Sequence, residues 1–177
     1  MKRPLSFIAL CLAAPLASAT TLGGIAFSPC TLAAPGASAP VAAQCARVEV
    51  PEDRAAPDAR RISLALAWVA AATADPAADP VFLLAGGPGQ SARDSYPAVA
   101  GAFSDILKRR HVILLDQRGT GESNRLACAQ DEAESTDISI GHAVEQTRTC
   151  LTSLSAVADV RHYTTGDAVA DLEAVRL

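Results

Sequence analysis

The feature that constrains the fold most is a pair of short apolar runs, each ending in a glycine-rich turn. The first is VFLLAGGPG, residues 81–89, and the second is HVILLDQRGTG, residues 111–121. Continuous apolar runs of this length are typical of strands that are buried on both faces. Between them, residues 99–107 place apolar side chains on one helical face. The order strand, turn, helix, strand predicts a βαβ unit with two parallel strands.

Two stretches before these runs alternate between apolar and polar residues, which is the pattern of strands with one buried face. They are CARVEVPED, residues 45–53, and RISLALAWVA, residues 61–70. The polar residues between them predict a hairpin. Residues 20–44 are rich in Ala, Pro, Gly and Ser and show neither the helical nor the strand period. We therefore expect an extended N-terminal segment there that is not a domain of its own.

Two helices are predicted in the C-terminal part of the chain. The first covers about residues 141–154 and carries Cys150. The second lies in YTTGDAVADLEAVRL, where Thr165 is a candidate cap and Val169 and Leu172 have helical spacing. Because no glycine or proline stop signal follows this helix, we expect the sequence to be a truncated one.

The first 19 residues are typical of a signal peptide. Lys2 and Arg3 precede an apolar run over residues 5–16, and Ala-Ser-Ala at residues 17–19 fits a cleavage site. This run is shorter than the roughly 20 apolar residues that a transmembrane helix needs, so we expect no stable membrane anchor. The sequence predicts export to the periplasm or the extracellular space, with residues 1–19 removed.

After such a cleavage an even set of cysteines remains, in a compartment that permits disulfides. Four cysteines allow three pairings, and we favour the local ones, Cys30 with Cys45 and Cys128 with Cys150. No C-x-x-C pair occurs and no histidine stands at zinc-finger spacing. We therefore expect no metal site.

Composition and motifs argue against nucleic-acid and nucleotide binding. The net charge is -4, and the longest basic run, KRR at residues 108–110, lies at the end of a predicted helix. No Gly-Lys pair is present for a P-loop, and neither glycine run completes G-x-G-x-x-G. We expect no nucleic-acid partner and no cofactor. Phosphate binding at a helix N-terminus stays open as another use of the first glycine run.

Four segments, in their order and spacing, resemble the α/β-hydrolase serine peptidases of the prolyl aminopeptidase and tripeptidyl aminopeptidase type. The segments are VEVPEDRAAPDARRISLALA, VFLLAGGPGQS, VILLDQRGTGES and YTTGDAVADLEAVR. GGPGQS followed by DQRGTGES is the most specific part, and the cysteines resemble those of the secreted branch. The resemblance implies the N-terminal part of an α/β-hydrolase domain over residues 45–177. Its α/β fold would have antiparallel first strands, then a parallel βαβ unit, in an incomplete sheet.

The resemblance assigns an oxyanion loop to the first glycine run. The backbone N–H of Gly87 would donate to the oxyanion of acyl transfer, and Gly86, Pro88 and Gly89 would shape the turn. Ala85 stands where the cytosolic prolyl aminopeptidases usually have His. This difference favours the secreted, tripeptide-releasing or broader relatives. The alternative is a tight strand-to-helix turn without chemistry.

The second glycine run is interpreted as support for this loop. Asp116, Gln117 and Arg118 would brace it with charged hydrogen bonds, and Gly119 and Gly121 would supply unusual backbone angles. Because the run begins at the carboxyl end of a buried strand, substrate contact by Asp116 and Arg118 is the alternative.

The chain lacks the nucleophile elbow of this family. The pattern G-x-S-x-G occurs nowhere, since Gly89-Gln90-Ser91 begins it but Arg93 stands at the closing glycine. We expect the elbow to be encoded just beyond Leu177. Structural or solvent-exposed roles are expected for the histidines, which are His111, His142 and His162.

The resemblance thus implies an exported serine hydrolase, an aminopeptidase of the prolyl or tripeptidyl type. It would release N-terminal residues from a peptide substrate through an acyl-enzyme, without a metal or cofactor. This chain alone is expected to be inactive. One alternative is hydrolysis of esters, amides or lactones. A non-catalytic secreted binding protein is the other, if the protein ends at Leu177.

Overall fold

The strands are longest in the N-terminal half of the chain, where alternating and β-branched residues are frequent. The computed structural model describes residues 20–37, 39–87, 89–128 and 139–177. The signal peptide expected at residues 1–19 and the loop residue Pro88 lie outside the described residues. The strands are β1 (Thr20–Leu22), β2 (Ile25–Leu32), β3 (Val41–Pro51), β4 (Arg61–Val69), β5 (Val81–Leu83) and β6 (Val112–Leu115).

Within the described residues these strands form one mixed sheet in the order β1-β2-β3-β4-β6-β5. The chain up to β4 is an antiparallel meander, in which each strand pairs with the next. Strand β6 then pairs antiparallel with β4, and β5 pairs parallel with β6 at the edge. The hairpin of β3 and β4 confirms the one predicted from alternation.

The expected α/β-hydrolase fold is wrong for this structure, because antiparallel pairing dominates the sheet and helices are few. Five of the six strands take part in antiparallel pairs, and only β5 with β6 is parallel. The parallel pair was predicted correctly, but its strands have 3 and 4 residues against 11 in β3. Sequence analysis gave too much weight to these two apolar runs and too little to residues 20–44.

Residues 20–44, which were expected to form an extended segment without strand periodicity, contribute strands to the sheet. They contain β1 and β2 and the first residues of β3, which crosses the boundary expected at residue 45. In β2, Phe27 and Leu32 are buried, but they stand five positions apart and therefore pack on opposite faces of the sheet. The high content of Ala and Pro conceals these strands from a reading of the sequence alone.

The helices are short and lie after β5. They are α1 (Ala92–Val99), α2 (Ser104–Leu107), α3 (Ile140–Leu154) and α4 (Thr165–Arg176). A 3-10 turn over Ala100–Phe103 separates α1 from α2, where one helix was expected. The prediction of α3 is confirmed. The cap of α4 is Thr164, not Thr165, because the Thr164 side chain accepts from the Asp167 N–H while the Asp167 carboxylate accepts from Thr164.

Both faces of the sheet are covered in part, one by α1 with the 3-10 turn and α2, the other by α4. Ala92 and Tyr96 of α1 pack on one face against Ala67, Val112 and Leu114. On the other face, Leu172 and Val175 of α4 pack against a second cluster. That cluster consists of Phe27, Val50, Ile62, Leu64, Leu66, Ile113 and Leu115. Because side chains alternate along β4 and β6, these two strands supply both clusters.

Two disulfides join the cysteines that remain after residue 19, in the local pairing that the sequence favoured. Cys30–Cys45 links β2 to β3, and Cys128–Cys150 links the chain after β6 to α3. Disulfides of this kind are typical of proteins in oxidising compartments. In the part of the chain that the structure describes, no helix has the length and apolar character to cross a bilayer.

Candidate functional site

The two glycine-rich turns meet at one end of the sheet because β5 and β6 are parallel and end side by side. Residues 84–91 follow β5 and lead into α1, and residues 116–124 follow β6. Parallel strands place the loops after their carboxyl ends together, and ligands of such sheets commonly bind there. We define the first stretch, residues 84–91, as the glycine loop.

The glycine loop presents backbone N–H groups that have no partner within the protein. Among the described residues, nothing accepts a hydrogen bond from the N–H of Gly86, Gly87 or Gly89, and all three are exposed. Gly87 has a φ of 147°, a conformation that side chains rarely adopt. A Cβ there would stand 2.9 Å from Cγ of Gln90. The backbone angles of Gly87 and Gly89 (φ 88°) therefore favour glycine, whereas Gly86 has no such constraint. All three N–H groups are left without a partner among the described residues.

Asp116 is the residue that fixes the two turns to each other. Its side chain is 1% exposed. One carboxylate oxygen accepts from the Ser91 hydroxyl at 2.7 Å and from the Arg93 N–H at 3.2 Å. The other accepts from the Glu122 N–H at 3.2 Å. A single buried carboxylate therefore holds the start of α1 and the turn after β6, which agrees with a bracing role.

Gln117 reaches the glycine loop from the neighbouring strand end. Its side-chain amide donates to the carbonyl oxygen of Ala85 at 3.3 Å. This contact holds the first peptide group of the glycine loop next to the end of β6. Gln117 and Asp116 thus contact opposite ends of the loop.

Arg118 does not contact the glycine loop, although the sequence placed it in the same bracing set. It lies on the other side of the turn, 5% exposed, and its guanidinium binds both carboxylate oxygens of Asp171 at 2.6 and 2.7 Å. It also donates to the carbonyl oxygens of Glu52 and His162. Burial would lower the pKa of Arg118, but the hydrogen bonds and charge of Asp171 raise that pKa above its usual value. Arg118 therefore braces α4 against the sheet.

The turn after Arg118 is closed by its own backbone and by a buried serine. Gly119 donates to the Ser123 carbonyl at 2.7 Å, and the Ser123 hydroxyl accepts from the Ala65 N–H at 2.8 Å. Gly119 and Gly121 have φ values of 82° and 49°. The space beside Gly121 is filled by the Asp116 carboxylate and the Ser91 Cβ. Both glycines thus supply the backbone angles that the sequence predicted.

A charged rim lies beside this turn. Glu122 binds Arg93 and Arg47, each at 2.8 Å. The hydrogen bond and charge of Arg93 hold the pKa of Glu122 below its usual value. The second nitrogen of the Arg93 guanidinium donates to Sγ of Cys45 at 3.7 Å. Arg93 therefore connects the helix after the glycine loop with the disulfide of the sheet.

Sequence analysis missed several residues of this arrangement, chiefly Arg93, Glu122 and Asp171. For Ser91 a local signal exists, since Ser91 with Asp94 three positions later is typical of a helix N-cap. The Ser91 hydroxyl does accept from the Asp94 N–H at 2.9 Å. Arg118 and Asp171 are 53 positions apart, so no local sequence pattern predicts their contact.

The histidines lie apart from the glycine loop. Nδ1 of His111 accepts from the Ala71 N–H at 3.0 Å, and its ring meets Trp68 edge to face. Burial lowers the pKa of His111. His162 faces the carboxylates of Asp53 and Asp159, each at 3.7 Å. Within the described residues, no histidine donates to or accepts from Ser91.

An apolar groove of about 550 Å³ lies elsewhere, on the face of the sheet that α4 covers in part. Its walls include Phe27, Phe82, Ile113 and Val175. No residue of the glycine loop lines it. The free N–H groups and the groove therefore belong to different parts of the molecule.

In comparison with known proteins, no family model matches the chain, and no curated protein matches it. The chemistry of the site therefore rests on its geometry. Backbone N–H groups fixed next to one another in a rigid turn can stabilise negative charge on an oxygen atom. Such donors do not break a bond by themselves.

Proposed function

We propose that this protein is the oxyanion-binding part of an exported serine hydrolase. Its substrate would be a peptide with a free N-terminus, as for an aminopeptidase of the prolyl or tripeptidyl type. The observation that carries the proposal is the glycine loop, in which Gly86, Gly87 and Gly89 have unpartnered N–H groups among the described residues. One such donor contributes about 2.7 to 4 kcal/mol to the stabilisation of an acyl-transfer transition state.

The support of the glycine loop agrees with this role, since oxyanion donors act through preorganisation. Asp116 fixes the loop at Ser91 and Arg93, and Gln117 fixes it at Ala85. Both contacts restrict the backbone around the free N–H groups without using them.

The proposal depends on the glycine loop and not on a fold class, because unrelated folds support the same hydrolytic chemistry. A nucleophile is also required, and G-x-S-x-G is absent from the 177 residues. Ser91 does not replace it, since its hydroxyl donates to the buried Asp116 and no histidine activates it within the described residues. The proposal therefore assigns the oxyanion donors and assigns no catalytic serine, base or acid among these 177 residues.

Export is part of the proposal, since residues 1–19 are typical of a signal peptide and the chain carries two disulfides. Oxidising conditions are therefore the appropriate ones for every assay.

The test is an NMR titration of the oxidised chain, labelled with ¹⁵N at glycine. The probe is a peptidyl phosphonate, whose tetrahedral anionic group imitates the oxyanion of acyl transfer. We expect saturable downfield shifts of the Gly86, Gly87 and Gly89 amide protons. Gly141, in an exposed part of α3, is the internal control and should not move.

Equal shifts with inorganic phosphate and with the peptidyl phosphonate would indicate a general anion site and contradict the proposal. Unchanged amide proton shifts of the glycine loop in the presence of the peptidyl phosphonate would contradict the proposal as well. In parallel, the chain alone should not hydrolyse aminoacyl or tripeptidyl chromogenic substrates. Robust turnover by these 177 residues would show that they do contain a nucleophile, and the proposal would then be wrong on that point.

A further inference from the structure

The disulfide Cys30–Cys45 has two sulfur atoms in different surroundings. Cys45 lies on β3, between β2 and β4. Cys30 lies on β2 beyond the stretch that pairs with β1, because that pairing stops at Phe27. Among the described residues, no strand therefore covers the outer edge of β2 at Cys30. Both cysteines are half-buried, so the difference between the two sulfur atoms lies in their neighbours.

A cation lies beside the inner sulfur. The Arg93 guanidinium, 14% exposed, donates to Sγ of Cys45 at 3.7 Å. A guanidinium next to a sulfur atom stabilises its thiolate form. In thiol–disulfide exchange, the sulfur with the more stable thiolate is the better leaving group. The two sulfurs of this bond are therefore not equivalent toward an attacking thiol.

We infer that Cys30 is a site of reversible modification by small external thiols, with Cys45 as the leaving group held by Arg93. An external thiolate attacks Sγ of Cys30, and a bond forms between the two sulfur atoms. The Cys30–Cys45 bond breaks, and its electron pair leaves with Cys45 as a thiolate. One disulfide and one thiolate become another disulfide and another thiolate, so no oxidant or reductant is consumed. The reverse attack by Cys45 restores the original bond.

Arg93 also gives this exchange a structural consequence. Its backbone N–H donates to Asp116, and its guanidinium binds Glu122. A thiolate on Cys45 would share this guanidinium with Glu122, because the two groups bind different nitrogen atoms of Arg93. The state of the disulfide is thereby coupled to the turn after β6, by contacts that do not depend on the proposed hydrolase function.

The experiment is a reaction of the oxidised chain with about 10 mM glutathione at neutral pH. Free thiols are then alkylated, and peptide mass spectrometry locates the mixed disulfide. We expect glutathione mainly on Cys30 and the alkyl group mainly on Cys45. The variant Arg93→Gln should exchange roughly threefold to tenfold more slowly and lose most of the preference for Cys30, because the leaving thiolate loses its cation. Arg93→Lys keeps the charge and should retain most of the preference.

The direction of the effect separates this inference from general loosening of the fold, which would accelerate exchange. Cys128–Cys150 is the reference in the same molecule, and its rate should be equal in all three proteins. Glutathione on Cys45, a rate in Arg93→Gln equal to or above that of the unchanged protein, or a Cys30–Cys45 bond that does not open would each overturn the inference.

Discussion

Replacement of Arg118 by Ala is expected to destabilise the protein far more than replacement of Arg176, an exposed arginine on α4. The Arg118 and Asp171 side chains are each 1% exposed, and they share two hydrogen bonds at 2.6 and 2.7 Å. Removing one partner of a buried ion pair leaves an uncompensated buried charge, which costs about 3–5 kcal/mol. The carbonyl oxygens of Glu52 and His162 also lose their donor.

One contact reduces this cost. Asp171 also accepts from Arg54 at 2.6 Å, and Arg54 remains in the variant. Because Arg54 is 34% exposed, it compensates only part of the buried charge. We therefore expect a loss near the lower end, about 3 kcal/mol in the free energy of unfolding. This is a large share of the roughly 5–15 kcal/mol that holds a typical domain folded.

The assay is urea unfolding followed by the fluorescence of Trp68, the single tryptophan of the chain. The matched control is Arg176→Ala on α4, whose ion pair with Glu173 is 60% and 53% exposed and should cost less than about 1 kcal/mol. The double variant Arg118→Met with Asp171→Leu should recover part of the loss, because neither charge of this buried pair then remains, whereas the carbonyl oxygens of Glu52 and His162 still lack their donor. The reasoning is refuted if Arg118→Ala unfolds within about 1 kcal/mol of the unchanged protein.

Two further predictions concern the glycine turn and the pH dependence. Gly121→Ala places a Cβ against the Asp116 carboxylate at a φ of 49°, so it should lower the free energy of unfolding by about 2–4 kcal/mol. The control Gly141→Ala in α3 should be neutral or stabilising. Equal urea midpoints for the two variants would contradict this prediction. Burial lowers the pKa of His111 from 6.5, so the unfolded chain binds more protons and stability is lost as the pH falls through about 6.5. The urea midpoint should therefore drop between about pH 7.5 and about pH 5.5, less steeply in His111→Gln, and parallel profiles would exclude His111 as the cause.

The sequence predicted the candidate site well where the signal is local. Gly87, Gly119 and Gly121 have the positive φ values that glycine permits, and runs of glycine after apolar residues announce such turns. The role of Arg118 was only partly predicted. A bracing arginine was expected in this turn, but its partner Asp171 lies 53 positions away, and the pair braces α4 instead of the glycine loop.

The fold class was predicted less well than the individual strands. Alternation located β3 and β4, and apolar runs located β5 and β6. The sheet is nevertheless dominated by antiparallel pairs, partly because residues 20–44 supply strands that their composition conceals. Strand pairing is a long-range choice that depends on which faces are buried, and local propensity decides little of it.

By itself, the sequence determined the turns, most of the strands and the confirmed helix α3, and it favoured the local disulfide pairing. These depend on backbone angles, periodicity and spacing along the chain. Only the tertiary structure decided which turns meet, which face each helix covers and which charges are buried. Asp116 joins Ser91 to Glu122 because the parallel edge of the sheet brings those segments together. Arg93 reaches Cys45 because α1 packs across the face of the sheet on which Cys45 lies. Contacts between residues far apart in the chain arise from packing, and packing leaves no local trace in a sequence.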